Sequence, residues 1–386
     1  MRKKFFTVAL TAFLCIRFLS SALALPSESD AVTFSVSPPS LSAKSAVLID
    51  ASSNAVLCEK NARERMGMAS TTKIMTALVA AERGDLGKTV SVSPLAVGVE
   101  GSSIYLYAGE KLTLKDLICA MLLESANDAA AAIAIEIGGS VEVFCDMMNE
   151  KVKELGLCDT HFTNPHGLYD DAHYTTAYDL AVITAEALKN GTVREIVSTK
   201  KLTITPVEGN VRVLYNHNKM LSRYEGAIGV KTGFTKKTGR CLVSAAEREG
   251  LCLIAVTLNA SDDWNDHTTL LDLGFENFYR AEIVKQGEVC HMQQVIGGAD
   301  ENVPLAACET VYATLPKSID MQKLTQVVET YNRYAFAPAR EGYAAGRVVY
   351  YLDGQLVATS PIAVAYTVGM AEEKKNFFES IKDIFN

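Results

Sequence analysis

The strand-like segments of this chain fall into two groups far apart in sequence, and most of what separates them reads as helix. Near the start, Ala46-Val47-Leu48-Ile49-Asp50 and Ala55-Val56-Leu57-Cys58-Glu59 are short apolar runs. Ala51-Ser52-Ser53-Asn54 between them reads as a hairpin turn. Strand character returns only at 201–205 and 211–214, then at 227–232, 240–246 and 251–258. Turn residues separate the last three, which predicts an antiparallel meander. A helical stretch over 268–279 follows and closes the first domain. Strands at both ends, helices inserted between them and a covering helix predict an α/β (α+β) helix–sheet–helix sandwich with an antiparallel sheet and a helical insertion.

The inserted helices announce their own ends. One is led by Ser70 and runs to about Glu82, where Arg83-Gly84-Asp85 stops it. Residues 89–109 are mixed and turn-rich. Thr113 reads as the N-cap of 114–123, with Asp116 three residues later where a capping box wants an acid. That helix halts at Glu124-Ser125-Ala126-Asn127-Asp128. The next covers 129–137 and ends at Gly138-Gly139; a third covers 141–155 and stops at Gly156. Asn164-Pro165-His166-Gly167-Leu168 is a loop with two breakers, and Thr176 caps a helix to Lys189 that Asn190-Gly191 ends. From about Ala281 the texture changes to short strands with turns, which predicts a smaller β-rich domain over 281–370.

The two ends of the chain read differently. Arg2-Lys3-Lys4, the apolar run from Phe5 to Ile16 and Ala22-Leu23-Ala24 form a secretory leader, cleaved after Ala24. Residues 25–43, rich in Ser and Pro, read as a linker. The fold proper is expected over 44–280 and 281–370. In the last stretch, 371–386, Phe377, Phe378, Ile381, Ile384 and Phe385 share one helical face, with charges off it. That segment suits either docking on the preceding domain or lying in a membrane interface. No other stretch is long and apolar enough for a transmembrane helix. The formal charge of −8 argues against nucleic acid as a partner, and losing the cationic leader makes the remainder more acidic. Cys58, Cys119, Cys145, Cys158, Cys241, Cys252, Cys290 and Cys308 remain beyond the leader. Most lie among apolar residues, so no obligatory disulfide framework is expected.

Three short elements carry chemistry. Ser70-Thr71-Thr72-Lys73 puts a hydroxyl and an amine nearly one turn apart on one helix face. Burial and nearby positive charge lower a lysine pKa, and a partly neutral amine can take the hydroxyl proton. Taken alone, such a pair also describes an ordinary helix with a snorkelling lysine. Ser125-Ala126-Asn127 stands at a helix-to-helix joint. It is either a plain N-cap or a hydroxyl that relays a proton beside an amide that holds a substrate carbonyl or the lysine. Lys231-Thr232-Gly233, taken as part of an inner strand, offers a cation and a hydroxyl for a carboxylate. Gly233 would leave room for a ligand backbone along the strand edge. His161 and His166 flank a Pro-containing loop without metal-ligand spacing, and no metal or cofactor site is expected. Asp170-Asp171 reads as a solvated turn.

Ser-x-x-Lys, Ser-x-Asn and Lys-Thr-Gly in this order are the signature of serine penicillin-recognising enzymes. The chain resembles the low-molecular-mass penicillin-binding proteins that act as serine-type D-alanyl-D-alanine carboxypeptidases. The likeness extends over Glu124-Ser125-Ala126-Asn127-Asp128-Ala129-Ala130, Asn164-Pro165-His166-Gly167-Leu168, Asn216-His217-Asn218 and Gly229-Val230-Lys231-Thr232-Gly233-Phe234-Thr235. It implies a transpeptidase/β-lactamase-like fold. It also implies Ser70 as nucleophile, Lys73 as its general base and Ser125 as proton shuttle, with Asn127 positioning substrate and Lys231 and Thr232 binding the terminal carboxylate. The oxyanion hole would use the backbone N–H of Ser70 and one just after Gly233. The implied substrate is the peptidoglycan stem peptide, with β-lactams as inhibitors, action outside the cell membrane and a tail that anchors to it. Three departures stand out. Ala126 occupies a position often Gly, Phe234 one that is His in some relatives, and 251–271 holds no arginine for the carboxylate, His267 being its only basic residue. A β-lactamase is the first alternative, but the loop after Pro165 offers no glutamate to activate water. A non-catalytic binder of wall peptide or penicillin is the second.

Overall fold

The computed structural model describes residues 34–208 and 210–372. The leader, the first part of the linker and the tail from 373 onward lie outside the described residues. Strands β1 (Ser45–Asp50) and β2 (Val56–Lys60) form the expected hairpin. Asp50 shapes its turn, accepting from the Ser52 amide and from the Ser52 and Ser53 hydroxyls. Helix α1 (Lys73–Arg83) follows, then a small ribbon of β3 (Thr89–Ser91) and β4 (Lys111–Thr113). The insertion continues with α2 (Leu114–Leu123), α3 (Asn127–Gly138), α4 (Val141–Glu154), α5 (Ala177–Lys189) and α6 (Gly191–Ser198). Thr113 and Asp116 make a full capping box, and Thr176 caps α5. Helix α6 was not foreseen. The Asn190 side chain accepts from the Thr192 and Val193 amides, so the residue that stops one helix also starts the next.

The chain then forms a separate ribbon of β5 (Lys201–Ile204) and β6 (Arg212–Tyr215), a single turn α7 (Met220–Arg223), and the meander β7 (Ala227–Thr235), β8 (Gly239–Arg248) and β9 (Leu251–Ala260). Helix α8 (Asp263–Asn277) starts earlier than the sequence suggests and stops before Tyr279, which belongs to the next strand. The main sheet has the order β2-β1-β9-β8-β7 and is antiparallel throughout. β7 is therefore an edge strand and not an inner one.

The sheet is covered on both faces, which is why its strands read as nearly continuous apolar runs. Val47, Ile49, Val243, Ala245, Ile254 and Val256 pack against α1 and α5 through Ile74, Met75, Leu78 and Ile183. Their sequence neighbours Ala46, Leu48, Leu242, Ala246, Leu253 and Ala255 pack on Leu270 and Leu271 of α8. The period of two assigns each residue its face. Leu41 and Ala43 join this second core, and the Ser42 and Ala43 amides donate to the Asp266 carboxylate. The Val36 amide also donates to the Leu57 carbonyl. The later part of the predicted linker is thus part of the fold, held by two buried apolar side chains that the Ser- and Pro-rich surroundings disguise.

The second unit is β-rich: β10 (Phe278–Val284), β11 (Val289–Ile296), β12 (Asn302–Ala307), β13 (Val311–Pro316), β14 (Leu324–Thr330), β15 (Ala335–Phe336), β16 (Ala344–Leu352) and β17 (Gln355–Val364). Six of these strands form a sheet in the order β14-β16-β17-β12-β11-β15, and β10 pairs with β13. Val303, Leu305, Val348, Leu352 and Ile362 build its own core. The eight cysteines among the described residues are free thiols. No helix among the described residues is long and apolar enough to cross a membrane.

Candidate active site

Ser70 does not begin α1. It sits in one 3-10 turn, Ala69–Thr72, that leads directly into the helix. In that geometry residues i and i+3 eclipse, which stacks Ser70 over Lys73. The turn is held by the Thr71 hydroxyl on the Met68 carbonyl (2.6 Å) and the Thr72 hydroxyl on the Ala69 carbonyl (2.8 Å). Ala69 takes a left-handed backbone, φ +49°, a conformation uncommon without glycine and often found at functional sites.

Lys73 is wholly buried, and its Nζ meets three oxygens: Ser70 Oγ at 3.0 Å, Asn127 Oδ1 at 2.7 Å and the His166 carbonyl at 2.6 Å. An ammonium would donate to all three. A neutral amine donates to the last two and turns its lone pair toward the Ser70 hydroxyl. Burial pushes the Lys73 pKa well below the ordinary lysine range, the charge of Lys231 pushes it further, and Asp128 opposes the shift.

Asn127, the first residue of α3, holds both the lysine and a neighbouring loop. Its Nδ2 donates to the Glu100 carbonyl (2.5 Å) and its backbone amide to that of Ser102 (2.7 Å). Asp128 braces the same loop from inside, accepting from Ser103 Oγ (2.6 Å), the Leu106 amide (3.0 Å) and the Ile104 amide (3.3 Å). Behind it the buried Glu110 pairs with Arg212 at 2.6 Å, and Arg212 Nε donates to the Ile104 carbonyl. Ser125 enters this wall at the α2–α3 joint, nearly buried and with a left-handed backbone, φ +61°.

A second wall is the 164–168 loop. Asn164 Oδ1 accepts from the Gly167 amide (2.7 Å) and the His166 amide (3.3 Å), curling the loop on itself. Thr76 Oγ1 donates to the Pro165 carbonyl (2.6 Å). Gly167 lies so close to the nucleophile turn that a Cβ there would sit 1.9 Å from the Ala69 carbonyl oxygen, and its φ is +89°. Only glycine fits. Burial, then the charge of Lys73, pushes the His166 imidazole down to about 3, so the ring stays neutral.

The third wall is β7. Lys231 is 2% exposed, its Nζ donates to the Thr232 carbonyl (3.0 Å), and burial pushes its pKa down to about 7. A Cβ on Gly233 would lie 3.0 Å from the Ser70 backbone nitrogen and 3.1 Å from the Met68 carbonyl. The missing side chain therefore lets the strand edge lie against the nucleophile turn, a closer constraint than the ligand approach expected of it. Three distant stretches thus converge: Ser70, Lys73 and Asn127 through direct hydrogen bonds, Gly233 through packing on Ser70, and Lys231 through its field on Lys73.

The sequence profile of the D-alanyl-D-alanine carboxypeptidase family, peptidase family S11, matches residues 32–262. The chain belongs to this family. The profile of the penicillin-binding protein 5 C-terminal domain matches 278–369, the β-rich unit of this S11 peptidase. D-alanyl-D-alanine carboxypeptidase DacF of Bacillus subtilis is 34% identical over 83% of this chain and 84% of its own length. DacA of Escherichia coli K12 is 30% identical over 97% and 94%. Among solved structures, penicillin binding protein 5 of Haemophilus influenzae superposes with a TM-score of 0.73 at 30% identity, covering 86% of this chain and 99% of the other.

Sequence reasoning did not find all that shapes this S11 site. The His166 carbonyl is a backbone group and leaves no side-chain signature. Asp128 and Glu110 look like ordinary surface acids until their partners, many residues away, are in place. His267, the one basic residue of 251–271, does not serve the cleft. It is buried on the α8 face of the sheet with Nε2 2.9 Å from Thr257 Oγ1, and burial pushes its pKa to about 3. A neutral ring on the face opposite α1 is no counter-ion for a carboxylate there.

Proposed function

We propose that this S11 serine peptidase removes the terminal D-Ala from peptidoglycan stem pentapeptides, with Ser70 as the acylated nucleophile and β-lactams as inhibitors that acylate the same oxygen. The observation that carries the reading is the 3.0 Å contact between Ser70 Oγ and a Lys73 amine whose other two partners are acceptors. Neutral Lys73 takes the Ser70 proton as Oγ attacks the carbonyl of the penultimate D-Ala. The oxyanion is held by the backbone N–H groups of Ser70 and Phe234, already oriented before charge develops. Ser125 passes a proton toward the leaving amine, D-Ala departs, and water cleaves the acyl ester by the reverse relay. Lys231 and Thr232 bind the terminal carboxylate. An arriving carboxylate raises the depressed pKa of Lys231, so binding draws a proton onto it. Asn127 positions the substrate through the lysine it holds.

In this reading the peptidase domain expected over 44–280 takes in the 36–43 segment as well, and the β domain expected over 281–370 supports it from the start of β10 at Phe278. The leader over 1–24 exports the chain, and the tail over 371–386 rests peripherally on the outer face of the cell membrane. The test is incubation with a labelled penicillin and mass mapping, together with D-Ala release from a synthetic pentapeptide. Label on Ser70, with release lost in Ser70→Ala, is the expected result. Label elsewhere, or none, overturns the proposal.

A further inference from the structure

The end of the β-rich unit at which the described chain stops carries large apolar side chains that the fold leaves in solvent. Phe336 is 66% exposed, Met370 66%, Tyr343 69% and Ile296 43%. They are neighbours and not scattered singles. Phe336 pairs with Ile296 where β15 meets β11, and Met370 bridges to Gly298, just beyond Ile296. Phe336, Arg340 and Tyr343 line one cleft of about 500 Å³.

The chain departs from this same place. Val368 bridges to Ala339, and the Ala371 amide donates to the Gly297 carbonyl at 2.9 Å. The backbone is thus fastened to the fold up to the residue before Glu372, and the amphipathic sequence with Phe377, Phe378 and Ile381 begins almost at once. A tail that follows with so little slack keeps the rim within about 20 Å of whatever the tail binds, at about 3.5 Å for each extended residue from Ala371 to Phe377.

We propose that this rim is a lipid-contacting surface, with Phe336, Met370 and Ile296 seated in the headgroup–acyl boundary of a bilayer beside the tail. The proposal rests on the reading of the tail as a peripheral membrane segment and adds to it a second, folded contact. Aromatic rings with a polar neighbour such as Arg340 are the side chains that favour this boundary. The charges around the rim are mixed, Arg333 and Arg340 against Asp300 and Glu341, all exposed. Attraction therefore comes from apolar insertion and not from net charge, and salt weakens it little. Two contacts on either side of the tail's start also fix the orientation of the β unit on the surface, which a single anchor would leave free to tumble.

The experiment is co-sedimentation of the full chain with vesicles of phosphatidylethanolamine and phosphatidylglycerol, at low and high salt. It compares the unaltered chain, the chain ended at Glu372, and the double variant Phe336→Ser with Met370→Ser. A second measurement uses Phe336→Trp in a Trp264→Phe background, since Trp264 is the sole tryptophan. The expected results are loss of binding without the tail, about five- to tenfold weaker binding in the double variant, and a blue shift of the new tryptophan on adding vesicles. Binding by the double variant equal to that of the unaltered chain, with no blue shift, overturns the rim while leaving the tail reading intact. Failure of the full chain itself to bind overturns both. Thermal unfolding at an unchanged midpoint shows that the exposed substitutions have not damaged the fold.

Discussion

The two units bury different kinds of side chain. The core of the peptidase unit takes in Asp50, Lys73, Glu110, Asp128, Asp179, Lys231, Asp263 and Asp266, each nearly or fully inaccessible. Among the described residues the β-rich unit buries only Gln293 and Ser360 as polar groups, and no charged one. A buried charge is costly unless partnered, and proteins keep it where it does something else as well. In the first unit the acids brace loops and the two amines face a cleft. The second unit is held mainly by apolar packing and strand pairing, and its ion pairs, such as Arg347–Glu329 at 2.7 Å, are at most partly buried. Chemistry and stability therefore compete in one half of the molecule and not in the other.

The sharpest way to break this contrast is Ser70→Ala. D-Ala release should fall by at least about 10⁴-fold with no loss in the unfolding midpoint, because the hydroxyl is not part of the core. Lys73→Met should cost about 10² to 10⁴ in acylation rate, the range of a lost general base, measured by stopped-flow with a chromogenic β-lactam. In the unaltered enzyme acylation should rise with pH as Lys73 loses its proton, with the acid limb far below the ordinary lysine range. Asp128→Asn should move that limb to lower pH, because the carboxylate it removes favours the charged amine. The same change should cost about 1 to 3 kcal/mol in denaturant unfolding, since four donors, the Ser103 hydroxyl and the Ile104, Leu106 and Ala129 amides, lose a charged acceptor.

Lys231→Met tests the competition directly. Folded Lys231 gives up its proton near pH 7, whereas the unfolded chain keeps it to about 10.4. Below pH 7 both states hold the proton; above it the unfolded state binds more, so stability rises with pH through that window at up to about 1.4 kcal/mol per pH unit. The variant should lose that slope, gain stability at pH 7 or below, and bind a carboxylate-bearing peptide with a raised KM. The smallest effect belongs to the other unit. Ser360→Ala should change stability by no more than about 1 kcal/mol and leave kcat/KM as it was.

Much of this architecture is legible because local and global signals agree. The Thr113–Asp116 capping box, the Thr176 cap and the three-strand meander stand in the structure as their residues imply. What escaped were features whose meaning depends on a distant partner. Asn190 reads as a stop because nothing nearby shows that its side chain will also begin α6. Leu41 and Ala43 read as linker because the Asp266 carboxylate that fastens their segment lies far along the chain. The edge position of β7 and the reason for Gly233 become visible only when the Ser70 turn is laid against them. The site was legible as types and order of residues. Its second layer, Glu100, Asp128, the His166 carbonyl and Gly167, was not.

The place of β1 between β2 and β9 has a consequence for how such a chain comes into being. A ribosome delivers the first two strands long before their neighbour exists, and an isolated hairpin is marginal in water. Native closure must wait for β9, so the contacts that complete the sheet span most of the first unit and form late. That delay also holds back the cleft: β7, which carries Lys231 and Gly233, reaches β1 only through β8 and β9, so the walls around Ser70 come together no earlier than the sheet itself.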